Sequence, residues 1–110
     1  MKAKDKPLVW LHGEVKSPPF TPEARQEAGY LLRMLQQGES LGLPKSRPMH
    51  SIGPGCHELR INDASGIWRI IYKVAVDAIV ILEVFSKKTQ TTPHEVEEVC
   101  RRRLRQYEAI

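Results

Sequence analysis

The residues of this chain best suited to chemistry are a set of cations and one carboxylate carried on short apolar runs. Glu58 and Arg60 sit in CHELRI, Arg69 and Lys73 in IWRIIYKV, and Phe85, Lys87 and Lys88 lie where AIVILEVF gives way to SKKT. Read as strands, these runs sort their side chains by parity, because successive residues point to opposite faces. Leu59 and Ile61, then Trp68, Ile70, Tyr72 and Val74, then Val80, Leu82 and Val84 form three apolar sets. Together they are expected to pack against helices, at roughly 1.5–3 kcal/mol for each large side chain buried. Glu58, Arg60, Arg69, Lys73, Glu83, Phe85 and Lys87 then share the opposite face, predicted to be an open, net basic platform. Ile67 and Ile71 bracket Arg69 on it, so that its guanidinium would hold a phosphate with less screening than in open water. Phe85 is placed to stack on a nucleobase, a contact worth roughly 1–3 kcal/mol in single-strand binders. The same pattern also describes a solvated sheet face with local ion pairs.

Positioning those residues requires the elements on either side. LVWLHGEV (8–15) is short and rich in strand formers and predicts a first strand. Thr21, Pro22 and Glu23 announce a helix with a hydroxyl cap, a proline in the first turn and an acid at the positive end of the dipole. Ala24, Ala28, Leu31, Leu32 and Leu35 follow at helical spacing and Gly38 suits the C-terminal cap, giving a helix over about 22–37. The stretch GESLGLPKSRPMHSIGPG (38–55) reads as a loop; its length implies either a function or a concealed element. CHELRI, IWRIIYKV and AIVILEVF are joined by NDASG and by the short VDA connection, which predicts an antiparallel meander. TTPHEVEEVCRRRLRQY predicts a closing helix, with Thr92, Pro93 and Glu95 as a capping box and Val96, Val99, Cys100, Leu104 and Tyr107 as an apolar stripe. The order is strand, helix, loop, three strands, helix: an α+β chain with a small, mostly antiparallel sheet packed on helices.

With 110 residues, the chain is expected to form one domain over 1–110. Its 17 Lys and Arg exceed its 13 Asp and Glu, a net charge of +4 that favours an anionic partner without naming one. Cys56 and Cys100 lack CxxC spacing and ligand-spaced histidines, which argues against zinc and for buried free thiols in a reducing cytosol. No apolar run approaches the ~18 residues of a membrane span, and the polar start MKAKDKP is unlike a signal peptide, so a cytoplasmic location without membrane association is expected.

The ordered set ELR (58–60), IWRIIY (67–72) and VFSKKTQTTP (84–93), followed by a helix running into RRRL, resembles the RelE superfamily of bacterial toxins. More narrowly it is similar to the phage-derived, HigB-like branch, with its arginine strand, F-x-K-K-T segment and TP-capped helix. The resemblance covers nearly the whole chain. It implies a RelE-like fold of the microbial-ribonuclease type, metal- and cofactor-free cleavage of mRNA in the ribosomal A site, inhibition of translation, and a cognate antitoxin encoded alongside, of the helix-turn-helix kind. By position, Arg60 and Arg69 match strand arginines that hold the scissile phosphate, and Lys87 and Lys88 fall where relatives keep a basic or histidine side chain near the reacting groups.

Attack of a ribose 2′-hydroxyl on the adjacent phosphate needs a proton acceptor, a proton donor to the leaving oxygen, and cations where charge builds. Arg60 and Arg69 suit charge stabilisation, since a planar fork of donors matches phosphate oxygens. Glu58 is either a base or the ion-pair partner that orients these arginines. Lys87 or Lys88 would donate the proton or grip the phosphate. His12, His50, His57 and His94 form no pair by spacing. Tyr72 matches a tyrosine common in the superfamily, yet its parity places it in the core beside Ile70. Lys73 and Phe85 on the platform, and Arg101 and Arg102 on the last helix, are candidate RNA contacts. The run Arg101, Arg102, Arg103, Arg105 also complements the dipole of a helix whose first turn holds Glu95, Glu97 and Glu98. Two other functions fit the same scaffold: a ParE-like gyrase inhibitor without nuclease activity, and a catalytically inactive RNA-binding member.

Overall fold

The structure is a computed structural model describing residues 5–64, 66–87 and 92–109. Its elements run β1 (Leu8–Trp10), α1 (Pro22–Gln36), β2 (Ser46–Pro48), β3 (Cys56–Asp63), β4 (Gly66–Val74), β5 (Ile79–Lys87) and α2 (His94–Glu108). The strands form one mixed sheet in the order β1-β5-β4-β3-β2, with β1 parallel to β5 and every other pair antiparallel. Among the described residues this is a small α+β arrangement with two helices, compatible with the RelE-like fold expected.

α1 begins as the sequence predicts. The Thr21 hydroxyl accepts a hydrogen bond from Ala24 N–H at 3.2 Å, and Pro22 occupies the first turn. Asp63 at the end of β3 fixes the approach of this helix: its Oδ2 accepts both the Thr21 N–H (3.1 Å) and the Trp68 indole N–H (2.8 Å). Ala24, Ala28, Leu31, Leu32 and Leu35 then bury one face of α1 against Leu59, Ile61, Ile70, Tyr72, Ile79 and Ile81, and Phe20 stacks on Trp68 with ring centroids 4.1 Å apart.

Four expectations need correction. The first strand ends at Trp10, well short of residue 15. Gly13 then turns the chain off the extended path at φ 85°, and a Cβ there would lie 2.8 Å from Val84 Cβ, so the turn requires glycine. The 38–55 stretch is not loop throughout: as one of the two alternatives implied by its length, it conceals an element, the edge strand β2, which pairs Ser46 with Leu59, Arg47 with Glu58 and Pro48 with His57.

The third correction concerns the apolar sets. They do not all share one face, because a bulge between Ile71 and Tyr72 shifts the register: Ile71 opposes Glu83 but Tyr72 opposes Ile81. The skipped residue reverses the parity of β5 at that point. Ile79 and Ile81 therefore join the α1 core, whereas Val80 and Leu82 turn to the other face. There they meet Met49, Ile52, Cys56, Ile71 and the apolar stripe of α2, with Cys100 and Leu104 at its centre. The charged face is consequently not an open platform, since α2 covers much of it.

The fourth is the capping box of α2, which does not form: Pro93 occupies the cap position and no side chain caps the helix. The Thr92 hydroxyl is directed instead at Glu58. Arg103 ties α2 down, its Nη1 donating to Leu82 O at 2.7 Å and lying 3.2 Å from Glu83 Oε2.

Candidate functional site

Parity on β3 and β4 correctly brings Glu58, Arg60 and Arg69 to one face, and the register sets Arg60 directly opposite Arg69. Two guanidinium groups facing each other across a strand pair repel, and Glu58, two residues along β3, supplies the counter-charge. Its Oε1 receives Arg69 Nη1 at 3.1 Å and Arg60 Nε at 3.2 Å, and lies 3.3 Å from Arg47 Nε, which reaches it from β2. Its Oε2 accepts the Thr92 hydroxyl from the lead-in to α2. Three guanidinium groups around one carboxylate leave two positive charges in excess, an arrangement suited to an anion.

Exposure divides the cluster into an inner and an outer part. The Glu58 and Arg69 side chains have no accessible surface, whereas 23% of the Arg60 side chain and 36% of the Arg47 side chain remain exposed. Burying a charge without a partner costs several kcal/mol, so the inner pair is matched ion to ion while the outer guanidinium groups keep contact with solvent. Arg69 was expected to grip a phosphate at an open surface; its guanidinium is instead enclosed, because Glu58 draws it inward and Thr92 closes over the carboxylate. Glu58 likewise has both oxygens engaged and no solvent contact, so that it stands as the ion-pair partner of the arginines.

The other candidate residues are dispersed. Phe85, paired with Arg69, is partly buried and packs against the α2 core, so it is not a bare stacking surface. Lys73 lies four residues further along β4 than Arg69, roughly 13 Å at ~3.3 Å per residue, and its Nζ bonds Glu108 Oε2 at 2.6 Å. Arg101 donates to Ser51 O at 2.8 Å, and Arg102 is exposed on α2. The backbone of Lys87 pairs with Ile67 at the end of β5. Lys88 lies outside the described residues.

Two members of the cluster were not recognised from sequence. Arg47 stands between Ser46 and Pro48 in a three-residue strand too short to display a period of two. Thr92 carried a signal, a threonine before a helix, but one that reads equally as a cap. Elsewhere, Tyr72 is core as its parity requires: it is buried, its hydroxyl lies 2.6 Å from Ser46 Oγ, and it stacks on His57. Burial, with His50 nearby, holds the His57 pKa below its usual value. Cys56 and Cys100 are buried and free, and burial pushes the Cys100 thiol up to about 12.

Fold and cluster together define a small α+β protein with a carboxylate-anchored cluster of guanidinium groups on one face of its sheet. A family model described as Phage derived protein Gp49-like (DUF891) matches residues 19–105, so the chain belongs to this phage-derived family, a toxin-like one related to the RelE/ParE-type toxins. The matched stretch contains every residue of the cluster. No curated protein matches the chain. Among the described residues no helix is long and apolar enough to cross a membrane.

Proposed function

We propose that this chain is the toxin of a toxin–antitoxin module, of the HigB-like branch, and that it acts in the cytoplasm as a ribosome-dependent endoribonuclease on mRNA. The observation that carries this reading is the convergence of Arg47, Arg60 and Arg69 on Glu58, with the first two open to solvent. In the reaction the 2′-oxygen bonds to phosphorus as the bond to the 5′-oxygen breaks, leaving a cyclic phosphate and a 5′-hydroxyl. Negative charge builds on the phosphate oxygens, where Arg60 and Arg47 would stabilise it by charge-assisted hydrogen bonds. Arg69 and Glu58 act one step back, holding the outer guanidinium groups in place. Lys87 and Lys88, at and beyond the end of β5, are assigned the proton transfers, with the 2′-hydroxyl proton leaving to a base and a proton arriving at the 5′-oxygen. The antitoxin, a helix-turn-helix protein encoded alongside, would mask or distort this end of the sheet.

A second reading, binding without cleavage either to RNA or to gyrase, is favoured by the complete burial of Glu58 and Arg69, which removes two candidate reacting groups from the surface. Primer extension on messengers after brief induction separates the two. Wild type should create new 5′ ends that Arg60→Ala abolishes and Arg47→Ala weakens. Growth arrest with intact messenger, accompanied by DNA breaks, would replace the nuclease with a gyrase poison.

A further inference from the structure

Beside the cluster, β3 and β4 end in a second row of side chains on the same face. Asn62 opposes Ile67, next to the row formed by Arg60, Arg69 and Phe85. A cleft of about 200 Å³ opens here, lined by Pro44, Lys45, Arg60, Asn62 and Ile67. It is several times the ~30 Å³ that one water occupies in the liquid. Its chemistry is graded. Pro44 and Ile67 supply apolar surface, the exposed Asn62 amide carries two donors and an acceptor, and the partly exposed Arg60 stands at the side nearest the cluster. The Lys45 ammonium is held by Glu27 of α1, so its stem rather than its charge lines the cleft.

We infer that this cleft takes a nucleobase of a single-stranded ribonucleotide whose phosphate lies on Arg60, and that Asn62 reads the base edge. A carboxylate or free phosphate would satisfy Arg60 and leave the apolar walls and the amide unused. A nucleotide uses all three. Unstacked bases are held between apolar or aromatic side chains and recognised through edge hydrogen bonds, for which a planar amide is well matched. Asn62 and Arg60 are two residues apart on one strand face, roughly 6.6 Å at ~3.3 Å per residue, a spacing of the order of the reach from phosphate to base within one nucleotide. The inference deepens the ribonuclease reading and rests on it for the choice of RNA.

The test follows the side-chain amide resonances of Asn62 in the ¹⁵N-labelled full chain during titration with the four nucleoside 5′-monophosphates, ribose 5-phosphate and an acidic peptide. Nucleotides should shift the Asn62 amide to an extent that depends on the base, and ribose 5-phosphate should leave it in place. Asn62→Ala, checked for an unchanged thermal midpoint, should lower affinity for the preferred nucleotide roughly ten-fold and erase the ranking of bases. Equal shifts from ribose 5-phosphate or from the acidic peptide would overturn the assignment, as would a ranking that survives Asn62→Ala. The two readings fail separately. Base-dependent binding without new messenger ends removes the nuclease and keeps the cleft, and new ends without a base ranking do the reverse.

Discussion

The Thr92 hydroxyl donates to Glu58 Oε2 across 34 residues of chain, joining the segment that leads into α2 to the centre of the arginine cluster. Glu58 also anchors Arg47, Arg60 and Arg69, so one carboxylate couples β2, β3, β4 and the approach to α2. Removing one member of a buried ion pair typically costs about 3–5 kcal/mol. Glu58→Gln is therefore expected to lower unfolding free energy by about 3 kcal/mol or more. Thr92→Val, which keeps the shape and removes the donor, should cost about 1–3 kcal/mol. Urea unfolding of the two variants checks both values, and a Glu58→Gln midpoint equal to wild type would contradict the role of Glu58 as hub.

Arg60 and Arg69 oppose each other in register yet differ in exposure, so their alanine variants should separate fold from function. Arg69→Ala leaves a buried carboxylate short of a partner and should depress the thermal midpoint strongly. Arg60→Ala should shift the midpoint less while abolishing messenger cleavage. Thermal unfolding measured beside primer extension tests the pair. The opposite pattern, a tolerant Arg69 and an Arg60 needed only for stability, would move the functional site elsewhere.

Gly13 occupies the left-handed region at φ 85°, where an added Cβ would press on Val84 Cβ at 2.8 Å. Gly13→Ala should destabilise by about 1–3 kcal/mol, since strain of that order accompanies a non-glycine residue in this region and the contact adds to it. Chemical denaturation of the single variant decides this.

Stability should fall on mild acidification because of His57. Burial and the nearby His50 lower its pKa in the folded protein, so below the unfolded value of about 6.5 the unfolded chain binds more protons than the folded one. The contribution of His57 is thus retained above about pH 6.5 and declines as pH drops toward its folded pKa. Urea midpoints between pH 8 and 5 should decrease, and His57→Gln should flatten that part of the profile. An identical slope in the variant would assign the pH dependence to other groups.

Much of the fold was legible because its signals are local. The cap at Thr21, the proline after it and the spacing from Ala24 to Leu35 define α1 within fifteen residues. The alternation in CHELRI and IWRIIYKV likewise determines which side chains share a face, so the common side of Glu58, Arg60 and Arg69 follows from sequence. β2 escaped because three residues cannot display a period, and Arg47 escaped with it.

What tertiary structure decided is the character of that common side. Parity assigns residues to a face, but it carries no information about what covers the face. The bulge opposite Ile71 is a property of paired strands; by turning Val80 and Leu82 over, it creates the apolar seat on which α2 rests. Once α2 is seated, Thr92 reaches Glu58, and the carboxylate draws Arg69 inside while Arg60 and Arg47 stay in contact with water. The types of charge at the site are written in the chain. Which of them meet solvent is settled by contacts between residues far apart in sequence, where burial of apolar surface and matching of buried ions outweigh local preference.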